Sequence, residues 1–243
     1  MLLAPIIGSF LGVIVTRHEA FMSAMTGRSA CATCGSKLQA PDLVPLLSWA
    51  VLGGKCRHCK APIGLFYPLI ELGAIAVALW SASVFSGAAL WFSCGLGWTL
   101  LALAAADMKY FLLPDILTLP LIAGGLLAIA TLDANNLTYH VMLGHLIGVL
   151  AGYGFVRVLR FIYRLLRGRE GMGLGDAKLF AAAGAWVSWQ GLPSVLVIAS
   201  LSALVAVLIW RGRPVEAAQR VPFGVFLAIG LWMTWLYGPL ATG

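Results

Sequence analysis

Acidic side chains are scarce in this chain. Nine Asp and Glu occur among 243 residues, and with sixteen Lys and Arg the charged share reaches only 10%. A soluble globular domain carries about 25%, so the chain is not read as one. No long polar tail suggests a further soluble domain. Met1 to Pro5 also lacks the basic stretch of a secretory signal, and the first apolar run is followed by Arg17-His18-Glu19 without a small-residue cleavage site. That run is expected to be retained as a membrane span. What the chain has in abundance is apolar residues, 61% of the total. The expectation is an all-α integral membrane protein lying in the lipid bilayer. The net charge of +7 would point to nucleic acid in a soluble protein. Here the enrichment of Lys and Arg on the cytoplasmic side of membrane proteins accounts for it, and no nucleic-acid partner is expected.

Apolar segments of helical-span length start at Leu2, Tyr67, Ala89, Ile116, His140, Asp176, Pro193 and Gly224, which predicts about eight transmembrane helices. The stretches near Ser86-Gly87, Asp133–Asn136 and Gln190-Gly191 contain no Lys or Arg, while Lys109, Lys178, the Arg157–Arg169 cluster and Arg211, Arg213 and Arg220 fall between them. With eight spans all sixteen basic residues lie on one side, assigned to the cytoplasm. The expected division is a first span over 1–17, a cytoplasmic insert over 18–66 and a seven-span membrane domain over 67–243.

The insert carries Cys31-Ala32-Thr33-Cys34 and Cys56-Arg57-His58-Cys59. Two C-x-x-C pairs at this separation suit a tetrahedral thiolate zinc site, and a reducing compartment argues against disulfides. So small a segment needs a staple to fold, which a metal supplies. Structural zinc held by Cys31, Cys34, Cys56 and Cys59 is the expectation. His58 lies inside a knuckle, but four sulfurs already complete the site. Cys94, alone in an apolar span, is expected to pack.

Acids at membrane depth are costly and mark functional, paired or water-facing sites. Asp107 closes one apolar run, and Asp176 opens another after Gly171, Gly173 and Gly175. Brought together, two carboxylates hold one proton between them. The ionised partner then activates a water while the protonated one polarises a peptide carbonyl, which is amide hydrolysis. The glycines permit close approach beside the acid. The alternative is that Asp176 caps a helix and Asp107 pairs with Lys109 or Lys178. Both acids are assigned to one face, whereas the coupling site of a proton- or cation-coupled transporter lies near the midplane. Asp115, after Pro114, has the position of a helix cap. Glu71, one turn into a span, is a second site candidate, against pairing with a base such as Lys60. His140 is expected at the interface, and His145 packed and hydrogen-bonded.

These residues together resemble a known family, the type IV prepilin peptidases, bifunctional leader peptidases and N-methyltransferases of bacterial pilus and type II secretion systems. The resemblance rests on Gly8-Ser9-Phe10-Leu11, the paired C-x-x-C knuckles, Pro45-Leu46-Leu47-Ser48-Trp49, Tyr67-Pro68 with Glu71, Asp107 with Leu113-Pro114-Asp115, Gly173-Leu174-Gly175-Asp176 and Pro222-Phe223-Gly224. It implies an aspartic endopeptidase of the bacterial inner membrane with Asp107 and Asp176 catalytic, supported by Gly173, Gly175, Lys178, Pro114 and Asp115. Its substrates would be prepilins or pseudopilins. It further implies S-adenosylmethionine as methyl donor, with Glu71 in the methyl-transfer site. The chain departs from the family pattern at Gly12, Ala32 and Phe66, all in the portion associated with methyl transfer or the zinc insert.

Overall fold

The structure, a computed structural model, describes residues 3–16, 30–31, 33–132, 139–168, 173–210 and 221–240. Arg17, Arg28, Arg169, Arg211, Arg213 and Arg220, which entered the expected orientation, lie outside the described residues. So do Ala32, the expected break at 133–136, and Gly171-Met172. The chain divides by packing into two compact units, 1–85 and 86–243.

The first unit holds α1 (Leu3–Thr16), a short 3-10 helix (Ala40–Leu43), α2 (Leu47–Val51) and α3 (Phe66–Val84). Helices α1 and α3 pack directly, and Gly8 is what lets them meet. A Cβ at Gly8 would lie 2.7 Å from the Glu71 Cα and 3.0 Å from the Ala74 Cβ. Small residues bring helix backbones together in this way in lipid, where no hydrophobic effect drives helix to helix. One turn on, a Cβ at Gly12 would lie 3.0 Å from the Tyr67 ring. Gly12 thus leaves room for an aromatic ring laid against α1. The expected division put Tyr67 at the head of a seven-span domain, a division by span. By packing, α3 lies with α1 in the first unit.

The second unit holds α4 (Gly87–Tyr110), α5 (Asp115–Leu132), α6 (Tyr139–Arg167), α7 (Leu174–Trp210) and α8 (Phe223–Tyr237). Helix α7 is its centre, packing against α5, α6 and α8. Glycines set each approach. A Cβ at Gly148 or Gly152 of α6 would lie 2.6 Å from the Gly184 carbonyl or 2.5 Å from the Phe180 carbonyl, and one at Gly230 of α8 would lie 2.3 Å from the Val195 carbonyl. Trp186 of α7 locks the α5 side, its indole N–H donating to the Leu121 carbonyl at 2.8 Å. It also meets Trp235 edge to face, with centroids 5.0 Å apart. His145 is buried, its Nδ1 3.0 Å from the Ala185 carbonyl, and Cys94 is buried within α4. His140 is exposed near the start of α6.

Separate spans were expected from Asp176 and from Pro193, and the run Leu174–Trp210 is two helices that meet at a kink at Ser188 (φ 60°, ψ 173°), five residues before Pro193. The break falls just before the Gln190-Gly191 signal, and Ser188 lies beside Gly144 of α6, its Oγ 3.0 Å from where a Cβ there would be. Five helices, α3 to α7, are long and apolar enough to cross a membrane, and α1 and α8 are shorter apolar helices. The protein is a multi-pass, all-helical membrane protein. No strand occurs among the described residues, and the isolated bridges Ala30–Lys37 and Lys55–Pro62 lie in the cysteine-bearing segment.

Candidate active site

Asp107 occupies the last turn of α4 and is buried. A carboxylate there faces the negative end of its own helix dipole, so it needs donors from elsewhere, and α8 supplies them. The Val225 N–H, in the first turn of α8, donates to Asp107 Oδ2 at 3.3 Å. A Cβ at Gly224 would come within 2.8 Å of the same oxygen. The N-terminal turn of a helix is a natural anion cradle, and the Pro222-Phe223-Gly224 motif opens one here.

Asp176 lies in the first turn of α7 and is buried. It is not the cap residue itself. Its Oδ2 reaches back to accept from the Gly173 N–H at 3.1 Å, the return half of a capping box. Gly175 lies against Leu113, with 2.8 Å between a notional Cβ and the Leu113 Cβ, and Leu113 lies against Gly224 at 3.0 Å by the same measure. Leu113 thus lies against both helix starts, that of α7 bearing Asp176 and that of α8 holding Asp107.

The remaining expected supports fall on the same end of the unit. Asp115 is the first residue of α5, one place inside the cap, because the Pro114 carbonyl accepts from the Leu117 and Thr118 N–H groups. Lys178 Nζ is 2.5 Å from Asp115 Oδ1. Lys178 thus pairs with Asp115. These side chains are 29% and 59% exposed, so the pair contributes at most about 1 kcal/mol.

The steric reading of Gly224 gives a direct prediction. Gly224→Ala is expected to displace Asp107 or Leu113 by several tenths of an ångström and to lower kcat on a peptide substrate about 10- to 100-fold, with KM little changed. Steady-state kinetics on protein of unaltered helix content check it, and an unchanged kcat contradicts it.

In the first unit, Glu71 is buried and accepts from the Leu46 N–H at 2.8 Å. Leu46 has φ 59°, costly for a branched residue, and the Glu71 bond helps hold it there. Glu71, Ser9, Trp49 and Tyr67 line a cavity of about 560 Å³ that extends to Cys31, Cys56 and Arg57. Tyr67 Oη is 3.3 Å from Thr16 Oγ1, and Phe66 packs edge to face on Tyr67.

The four cysteines converge, with all four Sγ atoms within 4.8 Å of one another and Cys31 and Cys59 3.9 Å apart. A zinc–sulfur distance of about 2.3 Å in a regular tetrahedron places sulfurs about 3.8 Å apart, so the cluster fits a structural zinc site. The knuckles repeat one backbone plan. The Cys31 and Cys56 N–H groups donate to the Ser36 and Ala61 carbonyls, both at 2.9 Å, and Gly35 and Lys60 each donate back to the first cysteine. Gly35 and Lys60 both have positive φ, 68° and 58°. The Ser36 hydroxyl and N–H bring the Cys34 thiol down to about 6, toward the thiolate that binds metal. The Arg57 guanidinium, 2.8 Å from Asp42, holds that carboxyl below its usual range and ties the second knuckle to the 3-10 helix.

Fold and site thus define a helical membrane protein with two buried carboxylates gathered at one end of its larger unit and a four-cysteine metal cluster in its smaller one. Residues 2–85 match the Bacterial Peptidase A24 N-terminal domain, and residues 94–208 match the Type IV leader peptidase family. The chain belongs to the type IV leader peptidase family. It is 40% identical to a Burkholderia pseudomallei protein over 98% of this chain and 84% of that one. It is 42% identical to an Aeromonas hydrophila protein over 90% and 74%, and 36% identical to a Pseudomonas aeruginosa protein over 100% and 90%. All three are named prepilin leader peptidase/N-methyltransferase. No solved structure matches. The family supports the peptidase reading and gives none to the transporter alternative.

Proposed function

We propose that the protein is an aspartic endopeptidase that removes the leader of prepilins or pseudopilins at the cytoplasmic face of the bacterial inner membrane. Asp107 and Asp176 are its catalytic pair. The observation that carries this reading is the burial of both carboxylates around Leu113, each steadied by a backbone N–H from a helix N-terminal segment. The pair holds one proton. The ionised member takes a proton from water as the water oxygen bonds to the scissile carbonyl carbon, and the protonated member hydrogen-bonds the carbonyl oxygen. Proton transfer to the amide nitrogen then breaks the C–N bond, leaving a carboxylate on the leader and a free amine on the mature chain. Gly173 and Gly175 leave room for the substrate backbone. Lys178, Pro114 and Asp115 fix the starts of α5 and α7 beside the pair.

The segment 18–66 serves as a zinc-binding insert on the same face, between the span within 1–17 and the membrane domain 67–243. The cavity at Glu71 lies within the size range of cofactor sites. Its aromatic rings and the buried Glu71 carboxylate suit a cationic sulfonium, so S-adenosylmethionine fits there. Bound, that cofactor supplies an electrophilic methyl group. Glu71 holds the incoming amine and accepts its proton, and the Leu46 N–H orients the carboxylate.

The reading is tested by incubating the purified protein in liposomes with a prepilin. A product shortened by its leader is expected, and an intact prepilin after prolonged incubation with correctly inserted protein contradicts it. The two activities are expected to separate. Glu71→Gln keeps the shape of the side chain but loses the base, so methylation should fall at least about 100-fold with cleavage within about threefold of wild type. Mass spectrometry of the new N-terminus reads both, and equal loss of both activities would make Glu71 structural.

A further inference from the structure

Helix α6 is longer than its packing requires. Its 29 residues span about 43 Å, against a hydrocarbon core of about 30 Å. Gly148 meets Gly184, and Gly152 meets Phe180, so in this antiparallel register Leu174, the first residue of α7, lies beside residue 158. The last nine residues, 159–167, run on past the start of α7. There Arg157, Arg160, Arg164 and Arg167 share one face by their 3-4-3 spacing. On other faces Val158, Leu159, Ile162, Tyr163, Leu165 and Leu166 are 42% to 75% exposed. Arg157, Arg160 and Arg164, with Phe161 and Leu174, line an open recess of about 240 Å³. The Arg157 guanidinium lies 5.7 Å from the Tyr153 ring centroid, and the helix itself contains no Asp or Glu.

We infer that this end of α6 is a binding site for anionic phospholipid headgroups, the phosphate seated among Arg157, Arg160 and Arg164 with the acyl chains along the apolar faces. Arginine presents a rigid fork that matches phosphate oxygens, and a basic segment just outside the hydrocarbon is the pattern that recruits anionic lipid. The opposed placement of exposed apolar side chains gives this end of α6 one basic and one apolar face, the pattern that suits a segment at headgroup level. Leu174 of the recess is two residues from Asp176, so the bound lipid flanks the carboxylate pair. The inference does not depend on the peptidase reading.

The test uses the purified full chain in detergent, with phosphatidylglycerol or phosphatidylcholine added, and reads lipid retained by native mass spectrometry and the shift in Tm. Phosphatidylglycerol should be retained and should raise Tm more than phosphatidylcholine. Each arginine contributes about a fivefold gain in affinity, so Arg157→Gln with Arg160→Gln and Arg164→Gln should weaken retention about 100-fold. The triple Lys variant should keep most of it. Equal retention of the two lipids by wild type overturns the inference, as does undiminished preference in the Gln variant. Inorganic phosphate matching the lipid's Tm shift would also overturn it. Should the Gln variant not fold, the wild-type lipid comparison decides.

Discussion

Asp107→Asn and Asp176→Asn are each expected to lower prepilin cleavage by about 10³-fold or more, which is about 4 kcal/mol in the barrier. Asn preserves volume and can still accept the Val225 or Gly173 N–H, so helix starts and packing survive while the titratable proton is lost. A pair that works only when singly protonated fails whichever member is replaced. Wild-type cleavage should follow a bell-shaped pH profile whose two limits belong to the pair. By contrast Asp115→Asn should cost less than about tenfold, because Asp115 is largely exposed and its ion pair with Lys178 contributes little.

Cys34→Ser is expected to abolish metal binding and unfold the cysteine-bearing segment. Structural zinc contributes roughly 10–16 kcal/mol of binding free energy in small domains, more than the stability a unit of this size could otherwise reach. Among its described residues the segment is tied by the two knuckles, the Asp42–Arg57 pair, the Trp49 indole N–H to the Ile63 carbonyl at 3.1 Å, the Leu46 N–H to Glu71 and a few turn hydrogen bonds. Elemental analysis should find about one zinc per wild-type chain and less than about a tenth of that in the variant. Trypsin should cut the variant rapidly at Lys55, Arg57 and Lys60. Metal-free wild-type protein with a protease-resistant segment would contradict the assignment.

Much of the candidate site is legible in the sequence because membrane burial makes polar residues conspicuous. Asp107, Asp176 and Glu71 stand out in apolar runs, and the cysteine spacing dictates the cluster. Contacts between distant segments left no such trace. Nothing local to Asp107 says that its hydrogen-bond donor is Val225, 118 residues later, although the Pro222-Phe223-Gly224 helix start is a signal for an anion cradle. The Leu46 N–H partner of Glu71 depends on a positive φ at a leucine, which no residue preference announces. Lys60 was equally hidden, although Gly35 at the matching place in the first knuckle offers the clue. The break in α7 falls at Ser188, two residues before the Gln190-Gly191 signal and five before Pro193, where the residue type itself does not announce it.

The account's central claim is that two carboxylates act as one unit, and a double-mutant cycle tests it most directly. Cleavage of one prepilin is measured in the same liposomes for wild type, Asp107→Asn, Asp176→Asn and the double variant, each verified as inserted and of native helix content. A shared proton predicts two equally disabled single variants and a double variant no more than about threefold slower than either, since members of a catalytic unit are grossly non-additive. A single variant retaining near-normal cleavage, or a double variant whose loss is the product of two independent losses, would contradict it.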